Sequence, residues 1–129
     1  MATASVIYDG PRNLIVRVIG GASDDTAAQV TTIANLSPTC TRIRLDKIYY
    51  DVATGVTVSL LWDATTNKEF LTVTEGNGQH IKFKKYGGLH NDAGAGATGN
   101  VLITTTGITS APSYSLILEF VKTGTIGVV

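Results

Sequence analysis

Val56, Val58, Leu60 and Trp62 alternate with more polar neighbours, and Tyr114, Leu116, Leu118 and Phe120 repeat the pattern. Successive side chains on a β-strand point to opposite faces, so each set forms the apolar face of a half-buried strand. Period-two runs punctuated by Gly, Asn, Asp and Pro predict strands over 5–9, 13–20, 28–36, 41–52, 56–63, 69–75, 79–86, 101–106 and 113–122. Eight or nine short strands, each with one side to bury, predict an all-β protein built as an antiparallel β-sandwich. Ala53-Thr54-Gly55, Gly76-Asn77-Gly78 and the 107–112 segment each separate two such runs and read as hairpins, with Gly or Asn wherever φ must be positive.

Two stretches break the rhythm. Ile43 and Leu45 share one parity while Ile48, Tyr50 and Val52 take the other, so a bulge near Asp46-Lys47 is needed to restore a single apolar face. Ser23, Asp24 and Asp25 would suit the cap of a helix carrying Ala27, Val30 and Ala34 inward, but Thr26, Val30, Thr31, Thr32 and Ile33 are β-branched and favour a strand. From Gly87 to Asn100 the chain is rich in Gly and Ala with little to bury, which predicts an exposed connection that crosses between sheets or projects outward.

A length of 129 residues fits one domain spanning 1–129, with flexible segments at about 1–5 and 123–129. Ten basic residues balance ten acidic ones, so no accumulated positive charge argues for nucleic acid or anionic lipid. Met1 to Val6 holds no basic leader segment, and no apolar run approaches the roughly 20 residues of a membrane span, so the chain reads as soluble and made in the cytoplasm. The single cysteine, Cys40, leaves stability to packing.

Candidate chemistry changes little. Gly94, Gly96 and Gly99 match G-x-G-x-x-G, but Val101, Leu102 and Ile103 continue as strand where a dinucleotide site needs a helix. Cys40 with His80 and His90 has no zinc-ligand spacing, and Asp92 alone falls short of a calcium site. Glu69 and Glu75, on one strand, would stand roughly 20 Å apart, too far for glycoside hydrolysis. Asp63 with Glu69, on facing strands, stays geometrically open as a carboxylate pair, but no catalytic motif accompanies it, and the expectation is a protein that is not an enzyme and takes no cofactor or metal. His80, Lys82, Lys84 and Tyr86 share one parity and Ile81 and Phe83 the other, which predicts a basic outer face ending in an aromatic ring. Trp62 shares its parity with Val58 and Leu60 and belongs to the core, whereas Tyr49 opposes Ile48 and Tyr50 and should be exposed. Ile126, Val128 and Val129, beyond the last strand, return to the sheet or bury against another subunit.

Several phrases together carry a resemblance. They are Tyr8-Asp9-Gly10-Pro11-Arg12-Asn13, Thr41-Arg42-Ile43-Arg44-Leu45-Asp46-Lys47-Ile48-Tyr49-Tyr50 and Leu60-Leu61-Trp62-Asp63-Ala64-Thr65, then Tyr86-Gly87-Gly88-Leu89, Ala93-Gly94-Ala95-Gly96 with Thr98-Gly99, and Ser113-Tyr114-Ser115-Leu116. Over nearly the whole chain this resembles small virion structural proteins of tailed bacteriophages, in particular capsid decoration or cement proteins. The resemblance implies a jelly-roll-like sandwich on the capsid surface of a virion, a homo-oligomer (dimer or trimer), and the major capsid protein as partner. It supplies no catalytic residues. His80, Lys82, Lys84, Tyr86, Leu89, Ile126, Val128 and Val129 are then the expected partner contacts. The competing expectation is a carbohydrate- or host-binding accessory module of a head fibre or tail, with Tyr49 or Tyr86 as its stacking platform.

Overall fold

Period-two burial sorts the strands into two sheets that close on each other. The computed structural model describes residues 2–37, 39–110 and 113–126. In chain order the strands are β1 (Thr3–Asp9), β2 (Asn13–Ile19), β3 (Ala28–Thr31), β4 (Cys40–Val52), β5 (Thr57–Trp62), β6 (Lys68–Val73), β7 (Gly76–Lys82), β8 (Val101–Thr106) and β9 (Tyr114–Ile126), with single 3-10 turns at Ile33–Asn35 and Lys84–Tyr86. One sheet runs β1-β2-β9-β4-β7 and the other β3-β8-β5-β6, and every pairing is antiparallel. The arrangement is an all-β sandwich, and β2 to β9 alone have the strand order of an eight-stranded jelly roll, to which β1 adds an extra edge.

The predicted stripes are the core. Leu14, Val16 and Val18 of β2 and Leu116, Leu118 and Phe120 of β9 face Val58, Leu60 and Trp62 of β5, all essentially inaccessible to solvent. Trp62 stacks on Phe70 with ring centroids 3.9 Å apart, so it is core rather than a surface platform. The register of β4 against β9 shifts between Leu45 and Lys47, where the change of phase required a bulge, and Ile43, Leu45 and Ile48 all end up inside. The β-branched stretch after Ala27 is strand only over Ala28–Thr31 before Ile33–Asn35 turns, so neither a helix nor a strand to residue 36 forms.

The three connections expected to be hairpins are not. Ala53-Thr54-Gly55 leads from β4 to β5, Gly76 to Gly78 lie within the start of β7 after β6, and the 107–112 segment leads from β8 to β9, so each passes from one sheet to the other. The residues that let a chain reverse in the plane of a sheet also let it fold over onto the facing sheet. Gly55 and Gly107 both have φ of +83°, and a side chain on Gly107 would collide with the Gly55 carbonyl, so these two crossings touch. In-plane hairpins occur instead at Gly10–Arg12, where the Gly10 N–H donates to Asn13 O (2.9 Å), and at 63–67.

The segments 1–5 and 123–129, expected to be flexible, enter the sheet as far as they are described. Thr3–Ser5 pair with Arg17–Ile19, and β9 runs on to Ile126, opposite Cys40. Lys122, its side chain fully buried, holds the far end of β1 by an ion pair to Asp9 Oδ1 (2.5 Å), and Asp9 Oδ2 accepts the Ser37 N–H (2.8 Å). A charge so enclosed is tolerable because it is paired and hydrogen-bonded.

The Tyr114 hydroxyl is, with Trp62 Nε1 and Thr31 Oγ1, one of the buried polar groups that find no hydrogen-bond partner among the described residues. The residue is 3% exposed. Burial pushes its hydroxyl pKa well above the ordinary tyrosine value, and the charge of Asp25 adds to the effect. The folded chain therefore keeps this proton where the unfolded chain loses it. Its contribution to stability is complete below about pH 10 and falls as pH rises beyond that. Tyr114→Phe is expected to stabilise the fold by about 1 kcal/mol at neutral pH and to flatten the alkaline loss of stability. Urea denaturation at pH 7 and pH 11 checks both effects.

Candidate docking surface

Residues paired across antiparallel strands share a face, so the outer face of the five-stranded sheet can be read row by row. One row runs Tyr8, Ile15, Glu119, Lys47, Lys82 and the next Ser5, Arg17, Ile117, Tyr49, His80. The first row, with Asn13 and Lys84, lines a groove of about 390 Å³. Asp46, Phe120 and Val121 complete the lining, so three lysines and two carboxylates surround Ile15, Phe120 and Val121. Lys47 lies 3.7 Å from Glu119 in a half-exposed pair of little energetic weight. Lys82 and Lys84 have no carboxylate at ion-pair distance among the described residues.

The formal net charge of zero conceals a strong division. The strands of the four-stranded sheet and the connections lying on it hold Asp24, Asp25, Asp63, Glu69, Glu75 and Asp92 against Lys68 alone, a formal charge of −5. The other nine cations and four anions belong to the five-stranded sheet and its turns, a formal charge of +5. The two sheets with their connections thus carry opposite formal charge, and the resulting field orients the molecule as it approaches a charged surface.

The predicted contact residues divide in the same terms. His80 and Lys82 lie on β7 and face outward beside Tyr49 and Lys47, as their parity required. Lys84 and Tyr86 do not continue that strand. Phe83 leaves the extended conformation (φ −107°, ψ −8°), its N–H donates to Asp46 O (2.7 Å), and the turn Lys84–Tyr86 closes on Gly87 at φ +85°. Lys84 still reaches the groove, and Tyr86 projects at 79% exposure. Ile81 faces inward beside Ile48 yet is 36% exposed, because β7 is an edge strand and Ile81 lies outside the buried core. Leu89 is taken up by the fold: it forms an antiparallel bridge with Leu45 (2.8 and 3.0 Å) and packs against the core. Ile126 lies in β9 opposite Cys40, while Val128 and Val129 lie outside the described residues. Sequence parity missed Tyr8, Ile15, Arg17, Lys47 and Ile117, which join the face only through the pairing of β1, β2 and β9; the outward parity of each strand was the available signal.

The 87–100 segment is laced down rather than projecting. Thr98 Oγ1 donates to Asp63 Oδ2 (2.8 Å), the Thr65 N–H to Ala95 O (3.2 Å), and Lys68 pairs with Asp92 (3.0 Å). The lysine's hydrogen bond and charge hold the Asp92 carboxyl below the usual carboxylate range. Between this segment and the start of β4 lies a polar hollow of about 490 Å³ edged by Arg42, Asn91 and Asp92. Cys40 is buried, and burial pushes its thiol pKa up. His80 pairs with Tyr49, nine residues along β4 from Cys40 and hence roughly 30 Å away, so the two do not form a nucleophile and base. Among the described residues no group of three or more His, Cys, Asp and Glu gathers to hold a metal, and no helix is long and apolar enough to cross a membrane.

No protein-family model matches the chain, and no curated protein matches it. Solved structures that it resembles include a chain from the acid-stable capsid of Helicobacter pylori bacteriophage KHP30, 13% identical with a TM-score of 0.47, the match covering 98% of this chain and 96% of that one. They also include KdgF from a Halomonas species, 12% identical with a TM-score of 0.36, over 95% of this chain and 80% of that one. Likeness at this level carries no argument about function, which resides in sites rather than in folds.

Because Lys82 and Lys84 are exposed and have no ion-pair partner among the described residues, Lys82→Glu with Lys84→Glu is expected to change unfolding free energy by no more than about 0.5 kcal/mol. Thermal and urea melts of the double variant check this, and they establish it as a clean probe of binding.

Proposed function

We propose that this chain is a non-enzymatic structural protein of a bacteriophage virion, a capsid decoration or cement protein that lays the outer face of its five-stranded sheet across neighbouring major capsid subunits. The observation that carries this reading is the division of charge, with a groove on the cationic side that sets Lys47, Lys82 and Lys84 beside Ile15, Phe120 and Val121. The resemblance of the Tyr8–Asn13, Thr41–Tyr50 and Leu60–Thr65 phrases to phage decoration proteins supports it, as does a sandwich with a continuous apolar core, a stable brick for a shell.

The physical work is linkage. A protein that binds the assembled shell but not its separated subunits stabilises the shell by its binding free energy at every site, so modest affinity repeated many times suffices. A cationic face suits an acidic shell surface: attraction over a Debye length of about 8 Å at physiological salt orients the approach, and aliphatic contact at Ile15 and Ile117 then excludes water. The anionic sheet is left facing outward, where it repels further copies and keeps decoration to one layer.

Co-sedimentation of the purified chain with shells of its own phage tests the reading. Saturable binding that raises the shell's melting temperature, weakens with added salt and falls at least about tenfold in Lys82→Glu with Lys84→Glu is the expected result. Binding unaffected by both salt and the double substitution contradicts the docking face; absence of any binding contradicts the function.

A further inference from the structure

We infer that Asn77 is a self-modification site, at which the chain converts its own asparagine amide to a carboxylate by closing a ring on the Gly78 nitrogen. Asparagine is among the thermolabile side chains, and the reaction needs a following peptide nitrogen that can approach the amide carbon. A side chain on the following residue stands in the way, and glycine has none. Asn77 alone among the chain's six asparagines precedes glycine.

The fold sharpens this choice. Asn67 Oδ1 accepts the Ala64 N–H (3.1 Å), Asn91 Oδ1 the Ala93 N–H (3.0 Å) and Asn100 Oδ1 the Ile33 N–H (3.0 Å), so these amides are held in place. Asn13 and Asn35 precede the buried Leu14 and Leu36, and the Leu36 N–H is occupied by Ile33 O (3.1 Å). Asn77 is exposed, and its side chain has no hydrogen bond among the described residues. Regular pairing lapses at the same point. The ladder between β4 and β7 passes from Tyr50 with Gln79 to Val52 with Gly76, so Asn77 and Gly78 both fall opposite Asp51, in a bulge with Gly78 at φ +67°. Asp9-Gly10, the chain's one aspartate-glycine pair, is locked by contrast: the carboxylate holds Lys122 and the Ser37 N–H, and the Gly10 N–H donates to Asn13 O (2.9 Å).

Water is the only co-reactant. The Gly78 nitrogen gives its proton to solvent hydroxide and attacks Asn77 Cγ, the bond from Cγ to the side-chain nitrogen breaks, and ammonia leaves with a proton from water. Water then opens the resulting succinimide. Opening at the side-chain carbon gives aspartate; opening at the main-chain carbon gives isoaspartate, whose main chain runs through Cβ and is longer by a carbon. A bulge already accommodates surplus main chain, so the fold persists. The site lies on the outer face of the five-stranded sheet, because Tyr49 Oη stands 3.1 Å from where a side chain on Gly78 would begin and Tyr49 pairs with His80. A new carboxylate there takes that sheet's formal charge from +5 to +4. The consequence for adhesion, a weaker cationic face on aged molecules, is the one step that rests on the capsid reading.

Peptide mapping by mass spectrometry of the folded full chain, held at pH 9 and sampled over time, tests the assignment. The expected result is the mass gain of an amide turned to an acid in the peptide holding Asn77, at least about tenfold faster than at Asn13, Asn35, Asn67, Asn91 or Asn100, with both aspartate and isoaspartate as products. Asn77→Gln, at an exposed position and with a side chain too long for the five-membered ring, should keep the wild-type circular dichroism and stay unmodified at 77. Conversion at another asparagine as fast as at Asn77 overturns the inference, as does an Asn77 that converts in the urea-unfolded chain but not in the folded one. Aspartate without isoaspartate overturns the ring-closing route. The decisive comparison lies within the wild-type chain and involves no shells, so it and the capsid reading fail independently.

Discussion

The closure of two apolar sheet faces on each other is the constraint from which the rest follows. Trp62, Leu60 and Val58 on one side and Phe120, Leu118 and Leu116 on the other exclude solvent almost completely, and every strand's register is set by the need to turn its stripe inward. The bulge after Leu45 exists for that reason: without it Ile48 and Val52 would face water. Once the inner faces are committed, the outer faces are free to carry charge. Five strands over four leave β1 and β7 as the margins where burial is incomplete, and the exposed hydrophobic residues Val6 and Ile81 lie there.

Charge and shape then reinforce each other. A sandwich has two broad faces, and this one places six of its ten acids with the smaller sheet and nine of its ten cations with the larger. Overall neutrality gives no hint of it. On the proposed function this division matters, because a charge dipole selects the orientation in which a protein meets a charged surface.

Strand positions were legible because period two is written directly in the side chains, and the phase change within β4 announced its own bulge. Partner choice was not legible. Gly55, Gly76 and Gly107 satisfy a backbone requirement shared by hairpins and by crossings between sheets, so local chemistry could not say that β4, β6 and β8 hand the chain to the opposite sheet. The outer face of the five-stranded sheet shows the same split. His80 and Lys82 followed from parity on one strand, whereas Ile15, Ile117 and Lys47 join them through pairings between residues up to about a hundred positions apart. Lys84 and Tyr86 failed the strand pattern because Phe83 turns, tied by Asp46 O, an interaction that no run of parity encodes. Tyr8 lay within the predicted first strand, but its place on the groove depends on the register shift after Val6.

A cryo-EM map of shells decorated with this protein measures its orientation on the shell directly. The expected result is the five-stranded sheet against the shell, with Lys82 and Lys84 over acidic residues of the capsid subunits and the Asp63, Glu69 and Asp92 side facing solvent. A map with the four-stranded sheet against the shell, or with the chain attached by one end of the sandwich, contradicts it.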